Sequence, residues 1–518
     1  MKANIDEKKP WMNVHLLLFV FLSGVYLMNT TGYLTTSMCV SAYKTAESII
    51  EDGDFALERP RLETGIGKDG KYYNYGGLAY LLVVTGFFAF FTFLGRPDWI
   101  PFTNSLVTPL ACLILYLVGR ELKYSKKTSI LLALVYGIGT MAFVHSTYLM
   151  PEPLTTVVFL TAVLFLLKYK NTNRRKWLLL CACCTGLALI VRPDAPFFIF
   201  GMAIGVLVLL YRKYRDKKRE LWPIVNEGLV FLIPLLLFFA IYAYYNYARF
   251  GSIFELGYTT KAETVLENSE EHSGHRVKSM SKTLLGFAGM WIIPCRSMFF
   301  INPILIFIFW AVKDFWRKFR FELILIAVIF CLYVFLYSNR GPIGFPGSSA
   351  WGVRYMVPMT GFMVIVMGTF VDKIIMKRNV LYKIFVTVFA ISTVFQYIGV
   401  SNVYVDTQNY LDERYNTPEN NWVGRKMMNM NPRWNLLTEN FKKIQRGDVD
   451  LLYFNYFFRK ETLPENFLQV KWLGIVPVFL ICAIITSGYL LFKILRLPPT
   501  EPAKEKLKGK RKRGKKAV

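Results

Sequence analysis

Glu152 stands between two prolines in the stretch His145-Ser-Thr-Tyr-Leu-Met-Pro-Glu-Pro153, where a long apolar run begins. A carboxylate at a helix N-terminus is stabilised by the helix dipole. That suits a helix cap, and it suits a fixed general base aimed along a surface. Further acids stand in Glu51-Asp-Gly-Asp54-Phe-Ala-Leu-Glu58, which includes Asp52, and in Lys68-Asp69-Gly-Lys71-Tyr72-Tyr73-Asn-Tyr-Gly-Gly77. Carboxylates grip sugar hydroxyls and aromatic rings cover sugar C–H faces, although Asp-Gly turns with solvated acids explain the same residues. Arg192, Arg249, Arg296 and Arg354 each lie beside Gly, Pro or aromatic residues at the end of an apolar run. One such arginine can snorkel to a lipid headgroup; several together resemble a phosphate clamp, because guanidinium binds phosphate in bidentate fashion. His272 and His275 could ligate a metal, but beside Glu270 and Glu271 they read better as a solvated loop.

The elements that must position these residues are membrane helices. The 518-residue chain is 54% hydrophobic and only 19% charged, so it is no disordered tail. About twenty apolar residues cross a bilayer as a helix, and runs near that length recur at 12–31, 103–119, 128–148, 153–169, 177–192, 195–211, 224–246, 298–312, 321–338, 353–371, 380–399 and 472–493. The expected fold class is therefore an all-α polytopic membrane protein of about 12 spans (11–13). The first run is long and lacks a small-residue cleavage site, so it reads as a span rather than a cleavable signal peptide. The eight cysteines show no Cys/His metal spacing, and most lie in apolar runs as buried thiols.

A net charge of +27 first suggests nucleic acid, but its placement says otherwise. Lys and Arg crowd the short loops after 119, 169, 211, 312 and 371, and residues 501–518 carry nine of them against two Glu. By the positive-inside rule these segments share the cytoplasmic side. A thirteenth apolar run, 77–94, would break that rule six times if it crossed. It therefore reads as an interfacial or re-entrant helix within one long outer loop, 32–102. The other long outer segments are 247–297 and 400–471, the latter forming a small extracytoplasmic lobe (401–471) before the last span (472–493) and a basic cytoplasmic tail (494–518). Charged residues are nearly absent inside spans; Glu227 and Glu322 sit near cytoplasmic ends, where headgroup contact accounts for them. This argues against a proton-coupled transporter.

Several stretches taken in order carry a resemblance: Asp69-Gly-Lys-Tyr-Tyr before an apolar helix; Tyr148 to Glu152-Pro-Leu; Val191-Arg-Pro193; Tyr245-Asn246-Tyr-Ala-Arg249-Phe-Gly-Ser with Gly257-Tyr258; and Trp351-Gly-Val-Arg354-Tyr-Met-Val-Pro. Across roughly residues 10–400 the chain resembles the GT-C superfamily of integral membrane glycosyltransferases, which includes protein O-mannosyltransferases and lipid A aminoarabinose transferases. The resemblance implies a GT-C-like bundle over 1–400 with juxtamembrane helices in the first outer loop. It implies a polyprenyl-phosphate sugar donor and a glycan, lipid or protein acceptor. It also implies an active site on the extracytoplasmic side of a prokaryotic plasma membrane. Relatives place one acid in the first outer loop and one in the second. Glu152 matches the second. Thr30–Thr36 holds no acid where many relatives have one, which leaves Asp52, Asp54 or Asp69.

On that basis Glu152 is the expected base, with Asp54 or Asp52 as helper or metal ligand. Arg192 and Arg354 would hold the leaving phosphate, backed by Arg296 and Lys71, and Tyr72, Tyr73 and Trp351 would contact sugar. Asp69, Asn246, Arg249 and Tyr258 complete the expected binding surface. A single displacement would invert the anomeric carbon. No cofactor is certain, a divalent metal is possible, and no nucleic acid is expected. The alternatives are a flippase or transporter of lipid-linked intermediates, which predicts intramembrane polar residues and repeat symmetry, and a noncatalytic partner acting through the 400–471 lobe.

Overall fold

The computed structural model describes residues 13–61, 63–215, 222–257, 280–292, 297–339, 351–377, 379–403, 436–452 and 475–496. Tyr258, Arg296, the two histidines 272 and 275, most of the expected 401–471 lobe and the tail from 497 lie outside the described residues.

The chain is an all-α membrane protein. Its helices are α1 (Val14–Met28), α2 (Ser37–Glu51), α3 (Leu78–Phe93), α4 (Thr103–Glu121), α5 (Lys126–Gly139), α6 (Ala142–His145), α7 (Glu152–Thr172), α8 (Arg175–Val191) and α9 (Pro196–Tyr214). They continue with α10 (Trp222–Phe250), α11 (Met280–Ile292), α12 (Met298–Ile301), α13 (Ile308–Lys318), α14 (Arg320–Ser338), α15 (Val357–Lys377), α16 (Val380–Val400), α17 (Leu436–Gln445) and α18 (Ile475–Arg496). Among the described residues eight helices are long and apolar enough to cross a membrane: 97–121, 152–172, 196–214, 222–250, 320–338, 354–377, 380–400 and 476–496. Other expected runs are shorter or broken. The run at 128–148 stops at Gly139, turns, and resumes as the single turn of α6; the run at 298–312 breaks at Asn302-Pro303 into α12, a 3-10 segment and α13. Proline cannot donate the helical hydrogen bond and clashes with the preceding turn.

Burial sorts the helices into centre and rim. Of the most apolar windows, 78% of that in 354–377 and 72% of those in 97–121 and 152–172 are buried, against 17% in 222–250 and in 476–496. So α4, α7 and α15 form the middle, while α10 and α18 turn apolar flanks such as Ile233, Leu237 and Ile485 outward. α7 packs on α4, α8 and α15, α8 packs along α10, and α1 along α18.

Between α2 and α3 the chain makes a small antiparallel sheet from β1 (Ala56–Leu57), β2 (Thr64–Ile66) and β3 (Tyr72–Asn74), in the order β1-β3-β2. α3 follows it directly. At about 1.5 Å per residue its 16 residues reach only about 24 Å, short of a hydrocarbon core of about 30 Å. Its first turn is wedged in: a Cβ on Gly77 would lie 2.2 Å from the Val191 carbonyl oxygen. Glycine is what lets α3 start against the end of α8.

The two acids assigned by sequence to headgroup contact are engaged inside the protein. Glu227 on α10 accepts from Lys213 Nζ at 2.8 and 2.9 Å and from the Tyr169 hydroxyl at 2.7 Å, with Arg175 Nε at 3.6 Å. Glu322 on α14 pairs with Lys170. Both carboxylates are buried, because the basic helix ends fold back onto them.

Gly77→Ala should force α3 away from α8 and destabilise the protein by about 1–3 kcal/mol, read as a lower melting temperature of the detergent-solubilised chain; an unchanged melting temperature would count against this close approach.

Candidate active site

α7 begins at Glu152 because Pro151 and Pro153 fit the first turn, where backbone N–H groups have no helical partner. α8 ends at Val191 for the complementary reason. Arg192 precedes Pro193, and proline drives its predecessor out of the helical region; Arg192 is extended, with φ −146° and ψ 139°. Arg354 opens a 3-10 turn leading into α15, two residues after Gly352, whose φ of +69° turns the chain there. Three chain breaks therefore meet at one level.

Their side chains meet too. Glu152 is fully buried, with its Oε1 3.2 Å from Arg354 Nε and 3.7 Å from Arg192 Nη1. Among the described residues its Oε2 has no hydrogen-bond partner. Arg192 is held from behind: Nη2 lies 3.0 Å from Asp194 Oδ2 and donates to the Tyr337 hydroxyl at 3.1 Å. Tyr337 donates to the same Asp194 carboxylate, and Tyr333 donates to the Asp194 carbonyl at 3.2 Å. Arg354 Nη2 donates to the Tyr355 hydroxyl at 2.8 Å. The Tyr355 ring stacks on Tyr337 at 5.1 Å and lies under both guanidiniums, 5.1 Å from Arg192 and 4.6 Å from Arg354. Around them the α6–α7 connection is pinned by Asn104 Nδ2 donating to the Tyr148 and Met150 carbonyls and by Tyr80 donating to Leu149 at 2.9 Å. His145 Nε2 sits 3.3 Å from the Trp351 carbonyl oxygen.

Two carboxylates and two guanidiniums in one apolar setting leave the cluster neutral. A buried charge is tolerated only when paired, and here each arginine has an acid. An anion arriving at Arg354 would compete directly with Glu152.

The expected first-loop residues form a separate group. Asp54 Oδ2 is 2.7 Å from Lys71 Nζ, and both side chains are substantially exposed. The hydrogen-bonded ammonium holds the Asp54 carboxyl below the usual carboxylate range. Asp69 accepts from the Tyr73 hydroxyl at 2.7 Å and from the Lys71 backbone at 3.1 Å. Asp52 caps the end of α2 and is exposed. Among the described residues neither Asp54 nor Asp69 bonds to the Glu152 cluster. Nor does any group of three His, Cys, Asp or Glu among them lie close enough to hold a metal.

Three of the expected residues are engaged elsewhere in the structure. Arg249 does not join Arg192 and Arg354 on Glu152: its Nη1 donates to the Asn74 carbonyl at 2.7 Å and its Nη2 to Asn246 Oδ1 at 3.0 Å, so both residues tie the β-hairpin to α10. Trp351 has no exposed surface, and its Nε1 donates to Gln396 Oε1 at 3.3 Å. Tyr73 is buried with its ring edge-on to Phe250; Tyr72 beside it is half-buried. The sequence reading missed Asp194, Tyr337 and Tyr355. Asp194 and Tyr355 lie within two positions of residues it chose, and a buried arginine needing an acid was the available signal.

A family model described as dolichyl-phosphate-mannose-protein mannosyltransferase matches residues 79–242, the segment that holds Glu152, Arg192 and Asp194. No curated protein matches the chain. Among solved structures, the Archaeoglobus fulgidus oligosaccharyltransferase AglB, in complex with an inhibitory peptide and a dolichol-phosphate, is similar at 12% identity and a TM-score of 0.49, over 82% of this chain and 60% of that one. ArnT from Cupriavidus metallidurans bound to undecaprenyl phosphate is similar at 15% identity and a TM-score of 0.46, over 93% and 76%. The chain thus spans 60% of the length of the archaeal enzyme, and likeness at this level carries no residue-by-residue correspondence.

Asp194→Ala should strand a buried guanidinium and cost about 3–5 kcal/mol, whereas Tyr337→Phe, which keeps the ion pair, should cost about 1–3 kcal/mol. Denaturation of the two purified variants side by side checks the order.

Proposed function

We propose that the chain is a GT-C-type membrane glycosyltransferase that moves a sugar from a polyprenyl-phosphate donor to an acceptor hydroxyl at the extracytoplasmic face of a prokaryotic plasma membrane, a reading supported by the family-model match over residues 79–242. The observation that carries this reading is Glu152, a buried carboxylate facing two arginines with one oxygen unengaged among the described residues.

The donor phosphate docks on Arg354 and Arg192. Guanidinium accepts phosphate oxygens in the geometry it offers a carboxylate, so the phosphate takes over the contact that Glu152 holds at rest. Glu152 is then free to receive the acceptor's proton. The acceptor oxygen forms its bond to the anomeric carbon as the bond from that carbon to the phosphate oxygen breaks. The proton passes to Glu152, the electron pair leaves on the phosphate, and the configuration inverts. Positive charge fixed where negative charge develops is often the largest catalytic contribution. Asp194 and Tyr337 hold Arg192 at that place without touching substrate. Asp54, before β1, and Asp69 and Lys71, in the turn between β2 and β3, serve to receive the sugar or acceptor, with Asp52 and Tyr72 nearby in the chain. The dolichol-phosphate of the archaeal structure and the undecaprenyl phosphate of ArnT are donors' carrier lipids of the class proposed here.

Glu152→Gln should lower transfer by about 10²–10⁴-fold while the protein remains folded, and Arg354→Ala by about 10²–10³-fold. Release of free polyprenyl phosphate from a panel of radiolabelled polyprenyl-phosphate sugars is the readout. Full activity in the Glu152 variant would remove the base from the scheme.

A further inference from the structure

At the end of the molecule opposite Glu152, α8 and α10 run side by side in the same direction, the first turn of α8 joined to the second turn of α10 by the approach of Arg175 to Glu227 at 3.6 Å. Between them opens a groove of ≈ 440 Å³ lined by Arg175, Lys176, Leu179, Leu229, Ile233 and Pro234. Its origin is local. Pro234 has no N–H to give the Val230 carbonyl, and its ring pushes on that turn; both residues line the groove. α10 is a rim helix, so the opening faces the bilayer. Leu229, Ile233 and Leu179 are exposed there, at 40%, 60% and 45%.

The two ends of the groove differ in chemistry. Its mouth carries Arg175 and Lys176, both exposed, and its floor is aliphatic. Trp177, next to Lys176, has the Lys168 and Lys176 ammoniums 4.5 and 4.9 Å from its ring, and the 72%-exposed Trp222 begins α10. Tryptophan flanked by lysine marks the interface between headgroups and hydrocarbon. From Asn226 at the mouth to Pro234 the groove descends about 12 Å along α10 at about 1.5 Å per residue. A ligand fitting it has an anionic head and an apolar chain running inward.

We propose that this groove binds an anionic phospholipid from the leaflet on the side of the basic loops, with its phosphate at Arg175 and Lys176 and one acyl chain along Leu179, Leu229 and Ile233. The opposed charges of mouth and ligand select the head; the Pro234 notch admits the chain. Glu227 is already satisfied by Lys213, which leaves the Arg175 guanidinium largely available to the phosphate.

The test uses the full-length chain, delipidated in detergent and titrated with phosphatidylglycerol or phosphatidylcholine, with bound lipid counted by native mass spectrometry. Phosphatidylglycerol should be retained about fivefold better. Lys176→Gln should remove that preference, and Ile233→Trp, which fills the groove, should lower retention of both lipids at an unchanged melting temperature. Equal retention of the two lipids would overturn the proposal, as would indifference to either substitution. Displacement of the lipid by glycerol phosphate alone would also overturn it, by showing a headgroup site with no role for the chain.

Discussion

A carboxylate can be buried only beside charge of the opposite sign, and this constraint organises the middle of the molecule. Glu152 has no exposed surface and meets Arg354 at 3.2 Å and Arg192 at 3.7 Å. Each arginine then needs its own support, which the tyrosines of α14 and the turn before α15 supply. Removing one partner from such a group strands a charge, at a cost well above that of removing the whole set. The helix ends at 152, 192 and 354 are thus fixed relative to one another by electrostatics as much as by packing.

The constraint explains why prolines gather where the chemistry is. A helix that begins at Pro-Glu-Pro sets the Glu152 side chain in its first turn, and one that ends before Arg192-Pro193 frees the arginine from the helical path. The small sheet and α3 are then locked on from the side by Gly77 against Val191 and by Arg249 against Asn74. Arginine does two different jobs here, and only its partners reveal which.

That difference marks how far the sequence could be read. Span periodicity located most helices, because twenty apolar residues have few other fates. It overran at 128–148 and 298–312, where hydropathy continues through a backbone break that Gly139 and Pro303 impose. Glu152, Arg192 and Arg354 were legible from their positions at run ends. Their grouping apart from Arg249 was not, since Arg249 occupies an equivalent position and is spent on the small sheet. Trp351 looked like a binding aromatic because it sits beside Arg354, yet burial is a three-dimensional fact that neighbourhood in sequence does not carry. Glu227 and Glu322 looked like headgroup contacts for want of any sign that Lys213 and Lys170 fold back onto them.

The cluster also has a history within each molecule's synthesis. Arg354 is made about 200 residues after Glu152, which at about 5–20 residues per second is a delay of about 10–40 s. Arg192 and Asp194 follow Glu152 much sooner, so this arginine and its two acids are made before Tyr337 and Arg354. Both partners of the 3.7 Å contact are thus made before the second partner of the 3.2 Å contact. The α7–α8 pair is therefore synthesised well before the turn into α15 that supplies the second arginine.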